Sequence, residues 1–505
     1  MAKEKSCEIL RRKIRRFGRG VRRARIGYLR WQNAHLPQSV VLVMIALFIG
    51  VSTGIAAAAL KELVRLLNSM ILADVRVGQP DFRLLLWPVA GIFLTGIYQR
   101  YVVRGSVARG TRIIRQDLDT GRYLISPFTI FNPVVGCSVT IGTGSTGGTE
   151  GPTALSGAAI GSVVGRFFGL SSAWLRLLVG IGAGAGIAAI FKSPVGGVLF
   201  VLEVLQLEMS SLPVLALIIA CLLASTTAYL LSDFTFDIFF DRTLPFDPHM
   251  LGWVVLLGVF CGLYSVYYTY TKSRATRLFT AIRNPWLASA VTGGAMSVGV
   301  FMFPLLFGEG FNVITSLVNG SEVSFTAAGI LAGHDGFFWM LAGLLAVMLL
   351  KGVLVAASYC GGGVAGDFVP TFFAGSLAGY LFSVLCDVAL GTHLPAWFFA
   401  LTGMGAVMAG TLHAPLMSIF ILCETTDTFG YIFPYLIAVA VSYATVKLVT
   451  PRSWYGETGH DDLMALISKR KALSLRADAV RKRSVSAAPG HSRLRTSDKT
   501  IPDRK

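Results

Sequence analysis

The pattern Gly-x-x-x-Pro-Thr-x-x-x-Gly-x-x-x-Gly occurs twice in this chain, at Gly148, Pro152, Thr153, Gly157, Gly161 and again at Gly366, Pro370, Thr371, Gly375, Gly379. Each copy leads to a second shared signature: Gly182, Gly184, Ala185, Pro194 and Glu203, then Gly403, Gly405, Ala406, Pro415 and Glu424. The halves are offset by 218 residues in the first signature and 221 in the second, with identical internal spacings. Such duplication describes a chain built from two copies of one unit. Each copy has an apolar segment broken by Gly and Pro at the matching place, which in membrane transporters points to a site between the repeats.

A chain with 54% hydrophobic and only 14% charged residues, and a mean hydropathy of +0.64, has more apolar surface than a water-soluble fold of 505 residues can hide. It is read as an all-α polytopic membrane protein. Apolar segments near 40–60, 83–99, 153–169, 172–191, 211–232, 250–271, 284–307, 337–358, 371–388, 396–411 and 431–449 are long enough to span or half-span a bilayer. The runs at 124–137, 194–207, 324–332 and 414–424 are shorter than a perpendicular span, which predicts tilted or re-entrant helices buried among the others.

The net charge of +18 sits at the ends. Residues 1–36 carry 12 Lys/Arg against 2 Asp/Glu and residues 451–505 carry 13 against 6, so the membrane body is nearly neutral. That distribution predicts that both termini are cytoplasmic, which requires an even number of crossings. Contact of the basic ends with anionic lipid headgroups is one expectation, and solvated, topology-setting ends the other. Nucleic acid is not an expected partner, because 473–505 reads as disordered rather than as a folded basic surface. The seven cysteines and seven histidines show no metal-ligand spacing. Neither a metal nor a cofactor is expected.

The chain divides into a basic arm (1–36), a first membrane half (37–232), a connector (233–249), a second half (250–450) and a C-terminal segment (451–505) that contains a helix start and a basic tail. No appended regulatory domain with its own core is expected in so short a segment.

In the first half, the glycine-rich stretch from Gly142 runs into Glu150, Gly151 and Pro152 and then into a helix predicted over 153–168. Glycines before a proline in the first turn mark a helix start. The second half repeats this, with Tyr359 to Pro370 preceding a helix predicted over 371–385. Each segment aims unpaired N–H groups and a positive dipole end into the protein, where an anion can be held. Two such termini would make an electropositive site without any fully buried lysine or arginine. For an ion that must also leave, partial dipoles are preferable to a full charge.

Gly-x-x-x-Gly alone is a general helix-packing device in membranes. A carboxylate, Glu150, at such a helix start says more, since intramembrane acids are costly and mark functional positions. Being an anion at an anion site, it can occupy the site itself, or swing aside or take a proton when an ion arrives.

On these residues the chain resembles the CLC family of chloride channels and proton-coupled chloride exchangers, over roughly 37–460. Gly148-Thr149-Glu150-Gly151-Pro152 is similar to the family's Gly-Arg-Glu-Gly-Pro motif, Gly366-Asp367-Phe368-Val369-Pro370 matches Gly-x-Phe-x-Pro, and Phe191 through Glu203 resembles the family's proline-to-glutamate helix. The resemblance implies an inverted repeat of tilted and re-entrant helices, a homodimer in the plasma (inner) membrane, and one anion pathway per subunit. It places Glu150 on the gating glutamate and the backbone amides of Asp367 and Phe368 on the central anion, with Gly148, Gly151 and Gly366 around them. Tyr455 falls on the tyrosine that caps this site, although an interfacial aromatic is the other reading.

Three departures accompany the match. Thr149 stands where the motif has arginine. The family's serine loop is not preserved: counting back from Glu150 puts Arg109 at the serine position, with Ser106 as the substitute, and Arg109 either faces the pathway or is a cytoplasmic loop charge. In the exchangers a second, proton-relaying glutamate follows the structural one, whereas here Glu203 is followed by Val204. Valine cannot carry a proton. Glu208 and Asp119 are expected in exposed or helix-pairing roles, and Glu203 and Glu424 as structural acids that accept backbone hydrogen bonds. The leading expectation is passive chloride conduction gated by Glu150, with chloride/proton antiport by an altered route as the alternative. No nucleophile-base pair falls on the broken helices, so an enzyme is not expected.

Overall fold

The computed structural model describes residue 35 and residues 37–72, 82–105, 107, 109–232, 238, 247–320 and 336–450, all within the unit Met1–Trp454. Tyr455, Ser106, both basic tails, nearly all of the connector and the apolar run at 324–332 lie outside the described residues.

The first half contributes α1 (Gln38–Leu72), α2 (Arg83–Ile97), α3 (Gly110–Asp119), α4 (Asn132–Gly142), α5 (Glu150–Phe167), α6 (Ser172–Phe191), α7 (Pro194–Leu199) and α8 (Ser211–Leu231). The second contributes α9 (Leu251–Thr280), α10 (Pro285–Met302), α11 (Phe311–Val318), α12 (Phe337–Cys360), α13 (Phe368–Leu390), α14 (Ala396–Leu412), α15 (Pro415–Thr426) and α16 (Ile432–Val449). Among the described residues, eight helical segments are long and apolar enough to cross a membrane. The remainder include α4, α7, α14 and α15, which are apolar but too short for a perpendicular span. The protein is an integral, multi-pass membrane protein.

The duplication in the sequence is a duplication of packing. Helix α1 lies on α8 as α9 lies on α16, α5 on α6 as α13 on α14, and α1 on α4 as α9 on α12. Glycine makes the closest of these contacts possible. A Cβ on Gly157 would overlap the carbonyl of Gly182, and one on Gly182 the carbonyl of Gly157; Gly375 and Gly403 stand in the same mutual relation. Small residues let the helix backbones touch, which drives association where lipid offers no hydrophobic gain.

Burial sorts the helices by position. The interior helix α6, built from Gly, Ala and Ile, is buried around nearly its whole circumference, whereas α1 keeps Met44, Phe48, Val51 and Ile55 exposed along one side. A helix buried all round belongs to the centre, and an exposed apolar stripe faces lipid.

Helices α5 and α13 begin three residues earlier than their prolines suggest, at Glu150 and Phe368. Proline is tolerated anywhere in the first turn, because those N–H groups have no intrahelical acceptor. Glu150 is therefore itself the first helical residue.

Candidate anion site between the two halves

The two broken helices meet through their backbones. Gly148 N–H donates to Gly366 O at 3.1 Å and Gly366 N–H donates to Gly148 O at 2.6 Å, forming the one isolated β-bridge among the described residues. Both glycines leave room for one side chain. A Cβ at either position would run into the carboxylate of Glu150, which fills the slot between them.

That carboxylate is fully buried, and its Oε1 accepts the Phe368 N–H at 2.6 Å. The first-half acid thus takes the amide at the N-terminus of the second-half helix α13. A Cβ on Gly151 would crowd Gly366 Cα at 3.3 Å, and one on Gly110, at the start of α3, would overlap the Gly151 carbonyl. Glu150, Asp367, Phe368, Gly148, Gly151 and Gly366 are brought together in one place. Tyr455 is outside the described residues.

Thr149, where the motif has arginine, is tied to an acid. Its N–H and its hydroxyl both donate to Glu309 Oε1, at 3.2 and 2.6 Å. A carboxylate from the loop before α11 thereby holds the segment that leads into α5.

Arg109 turns inward. Its guanidinium lies 4.1 Å from the centre of the Tyr359 ring and 3.9 Å from Cys360 Sγ. Stacking on an aromatic face suits a planar, weakly hydrated cation. Cys360 also lines a cavity of about 450 Å³, with Gln99, Arg100, Arg104, Trp286 and Gly362 among the surrounding residues.

The expectation of a site without buried lysines does not hold. Lys272 on α9 and Lys351 on α12 are both fully buried. Lys272 Nζ is 2.6 Å from Asp367 Oδ1, with side chains 1% and 8% exposed. Lys351 donates to the Thr146 hydroxyl and sits 4.0 Å from the Phe373 ring centre. Each cation has a compensating partner, an acid for one and a hydroxyl with a ring face for the other, which is what makes burial tolerable. Sequence gave little warning: Lys272 lies just beyond the apolar run that ends near 271, and only the continuation of α9 to Thr280 carries it inside.

The structural acids cap each other's helices. Glu203 accepts Leu416 N–H at 3.1 Å and Met417 N–H at 2.8 Å at the start of α15. Glu424, at the end of α15, accepts Val195 N–H at 3.1 Å, Gly196 N–H at 3.0 Å and the Ser193 hydroxyl at the start of α7. Carboxylates at helix N-termini satisfy otherwise unmatched donors. Val204 ends a π-helical turn, Phe200–Val204, and is buried. Its carbonyl receives Arg115 at 3.4 Å, while Arg115 also donates to Gln206 at 3.0 Å. Glu208 and Asp119 are exposed. No group of three His, Cys, Asp or Glu is placed to hold a metal among the described residues.

Known proteins place this geometry. The sequence profile of the family described as "Voltage gated chloride channel" matches residues 90–447, well over half of the chain. A Ralstonia nicotianae protein named as ClcB-like and as a chloride channel is 27% identical over 84% of this chain and 99% of its own length. ClcA of Vibrio cholerae, named an H(+)/Cl(−) exchange transporter, is 28% identical over 64% of this chain and 67% of its own. Among solved structures, a slow cyanobacterial Cl−/H+ antiporter superposes with a TM-score of 0.72 at 21% identity, covering 84% of this chain and 98% of that one. A CLC-type fluoride/proton antiporter gives 0.68 at 22% identity, covering 82% and 97%. The inverted repeat of tilted and re-entrant helices is thus the CLC fold, and the chain belongs to the voltage gated chloride channel family.

Proposed function

We propose that this protein carries chloride across the membrane through the junction of its two halves, with Glu150 as the gate. The observation that carries this reading is the Glu150 carboxylate seated on the Phe368 amide inside the Gly148–Gly366 slot. It is an anion in a place built from helix-terminal N–H groups, so a mobile anion and the side chain compete for the same donors. The amides of Asp367 and Phe368 hold the ion, Gly148, Gly151 and Gly366 leave room for it, and Arg109 draws it towards the inner mouth. Tyr455 is proposed to cap the site.

Conduction is proposed to be passive, because Val204 occupies the position from which a second acid would relay protons, and Arg115 rests on its carbonyl. The competing reading is chloride/proton antiport by another route, supported by the relatives named as exchangers. One measurement separates the two: the reversal potential of the reconstituted protein under opposed chloride and proton gradients. A channel follows chloride alone, whereas an exchanger shifts with the proton gradient. Wild-type liposomes without chloride flux would reject both.

The assembly is proposed to be a homodimer with one pathway per subunit, in the inner membrane, with both termini cytoplasmic and the basic ends near anionic lipid.

A further inference from the structure

Helix α9 carries a polar stripe outside the sequence signatures of the anion site. Tyr264, Tyr268, Lys272 and Thr276 recur at every fourth residue, on one face of the helix, and all are buried. Three have partners. The Tyr264 hydroxyl donates to Met348 O at 2.9 Å, Thr276 pairs with the Tyr359 hydroxyl at 3.2 Å, and Lys272 contacts Asp367.

Tyr268 differs from them. Its hydroxyl is wholly buried and has no hydrogen-bond partner among the described residues, yet it lies within electrostatic reach of Asp367, Tyr359 and Glu150. Lys272 Nζ is 6.0 Å from the centre of its ring, so the phenol stands beside the Lys272 and Asp367 pair. The second oxygen of Glu150, Oε2, is likewise buried without a hydrogen-bond partner among the described residues. Buried donors and acceptors left unmatched are rare and call for an explanation, which at an ion pathway is the ion.

We infer that α9 supplies the side-chain half of the anion site: the Tyr268 hydroxyl donates to the anion held by the Asp367 and Phe368 amides, and Lys272 cancels the Asp367 carboxylate that would otherwise repel it. This rests on the anion-transport reading above. It accounts for a buried full charge at a site whose ion must leave. The lysine is paired with Asp367, so the pair is neutral and the amides and hydroxyl set the affinity.

Charge counting gives the variants opposite signs. Asp367→Asn removes the negative charge beside Lys272, so chloride binds more tightly and leaves more slowly. Lys272→Met removes the positive charge beside Asp367 and weakens binding on the order of a hundredfold or more. The double variant Lys272→Met/Asp367→Asn restores neutrality and returns affinity to near wild type. Tyr268→Phe weakens binding about tenfold, the size of one hydrogen bond to a charged group.

The experiment is chloride titration calorimetry on the purified full-length chain, paired with chloride efflux from liposomes, on variants that elute as a single species. Opposite shifts for Asp367→Asn and Lys272→Met, rescue in the double variant and the Tyr268→Phe loss are expected. Unchanged affinity in Tyr268→Phe, or single charge variants that shift binding in the same direction, overturns the inference. Should Lys272→Met not fold, Asp367→Asn and Tyr268→Phe decide, as both keep the side-chain volume. A wild-type chain that neither binds nor passes chloride sinks the transport reading itself, whereas a wild type that does both beside unaffected variants sinks only the role of α9.

Discussion

Gly148 and Gly366 exchange backbone hydrogen bonds, N–H to carbonyl in both directions, although 218 residues separate them. They hold the same position in the two signatures, so the pair marks the local two-fold relation between the halves. Everything proposed for the site is built around this contact, with Glu150 reaching from one half to the Phe368 amide of the other.

The slot between those glycines makes a steric prediction. The three atoms nearest a Cβ at 148 all belong to the Glu150 carboxyl group, within the distances where something must move. Gly148→Ala is therefore expected to push the gate off its site and raise chloride efflux at neutral and alkaline pH. Glu150→Gln, which keeps the volume and removes the charge, should make efflux nearly independent of external pH. Efflux from Glu150→Gln liposomes that retains the full wild-type pH dependence would show that Glu150 is not the gate.

Much of this arrangement was legible from spacing. The eleven longer apolar runs correspond to helices, and the paired Gly/Pro signatures placed Glu150 and Phe368 at facing helix starts. Other parts carried no such signal. Lys272 carries no signal in the sequence, because hydropathy sees the run that ends near 271 and not the buried continuation of α9. Glu309 sits in a glycine-flanked loop, where an acid ordinarily faces solvent, and only the fold brings it to Thr149. Tyr268 was one aromatic among many in an apolar helix. Its lack of a partner is a property of three-dimensional packing, which no linear pattern encodes.

The Thr149 and Glu309 contact predicts a cost without loss of the ion site. Thr149→Val removes the hydroxyl that donates at 2.6 Å to the carboxylate. A hydrogen bond to a charged acceptor contributes about 1.5–3 kcal/mol, so thermal unfolding should fall by a few degrees. Glu309→Gln keeps an acceptor in place and should lose less. Equal melting temperatures for wild type and Thr149→Val would mean that the contact does not hold the gate segment.

The crossed caps predict a larger effect. Glu424→Ala strips acceptors from Val195, Gly196 and Ser193 at the partly exposed start of α7, and Glu203→Ala does the same for Leu416 and Met417 at α15. The loss is expected to destabilise by about 1–3 kcal/mol for a buried donor left unmatched, as at Gly196 and Met417, and by less at the exposed Val195 and Leu416. The substitution to Gln, which keeps one acceptor, should recover part of it. Thermal denaturation in detergent reads the difference, and an Ala variant as stable as wild type contradicts the capping role.

Asp117, on the short amphipathic helix α3 outside the spans, gives a pH signature. Burial raises its carboxyl to about 6 from an ordinary 3.8, against a smaller lowering by Arg122. The folded state therefore disfavours the ionised form. Its stability falls as pH rises from about 4 through 6 and is flat above. Asp117→Asn should be more stable than wild type above pH 6, with the gap closing below pH 4 to 5. A gap that widens on acidification would have the wrong sign.

Coupling is the prediction that separates channel from exchanger. Val204 is buried at the end of a π-helical turn with Arg115 on its carbonyl, an arrangement that offers protons no acid at that point. A chloride gradient should then drive little or no uphill proton movement into liposomes. Val204→Glu tests whether the position is the missing link, but a new buried carboxylate without a partner costs several kcal/mol, so a folded variant must be shown first. Arg115 reaches the Val204 carbonyl, so Val204→Glu paired with Arg115→Gln should be less stable than Val204→Glu alone. The unmodified protein decides the mechanism. Proton pumping at a fixed ratio to chloride would reject the channel reading and require a proton route that bypasses Val204.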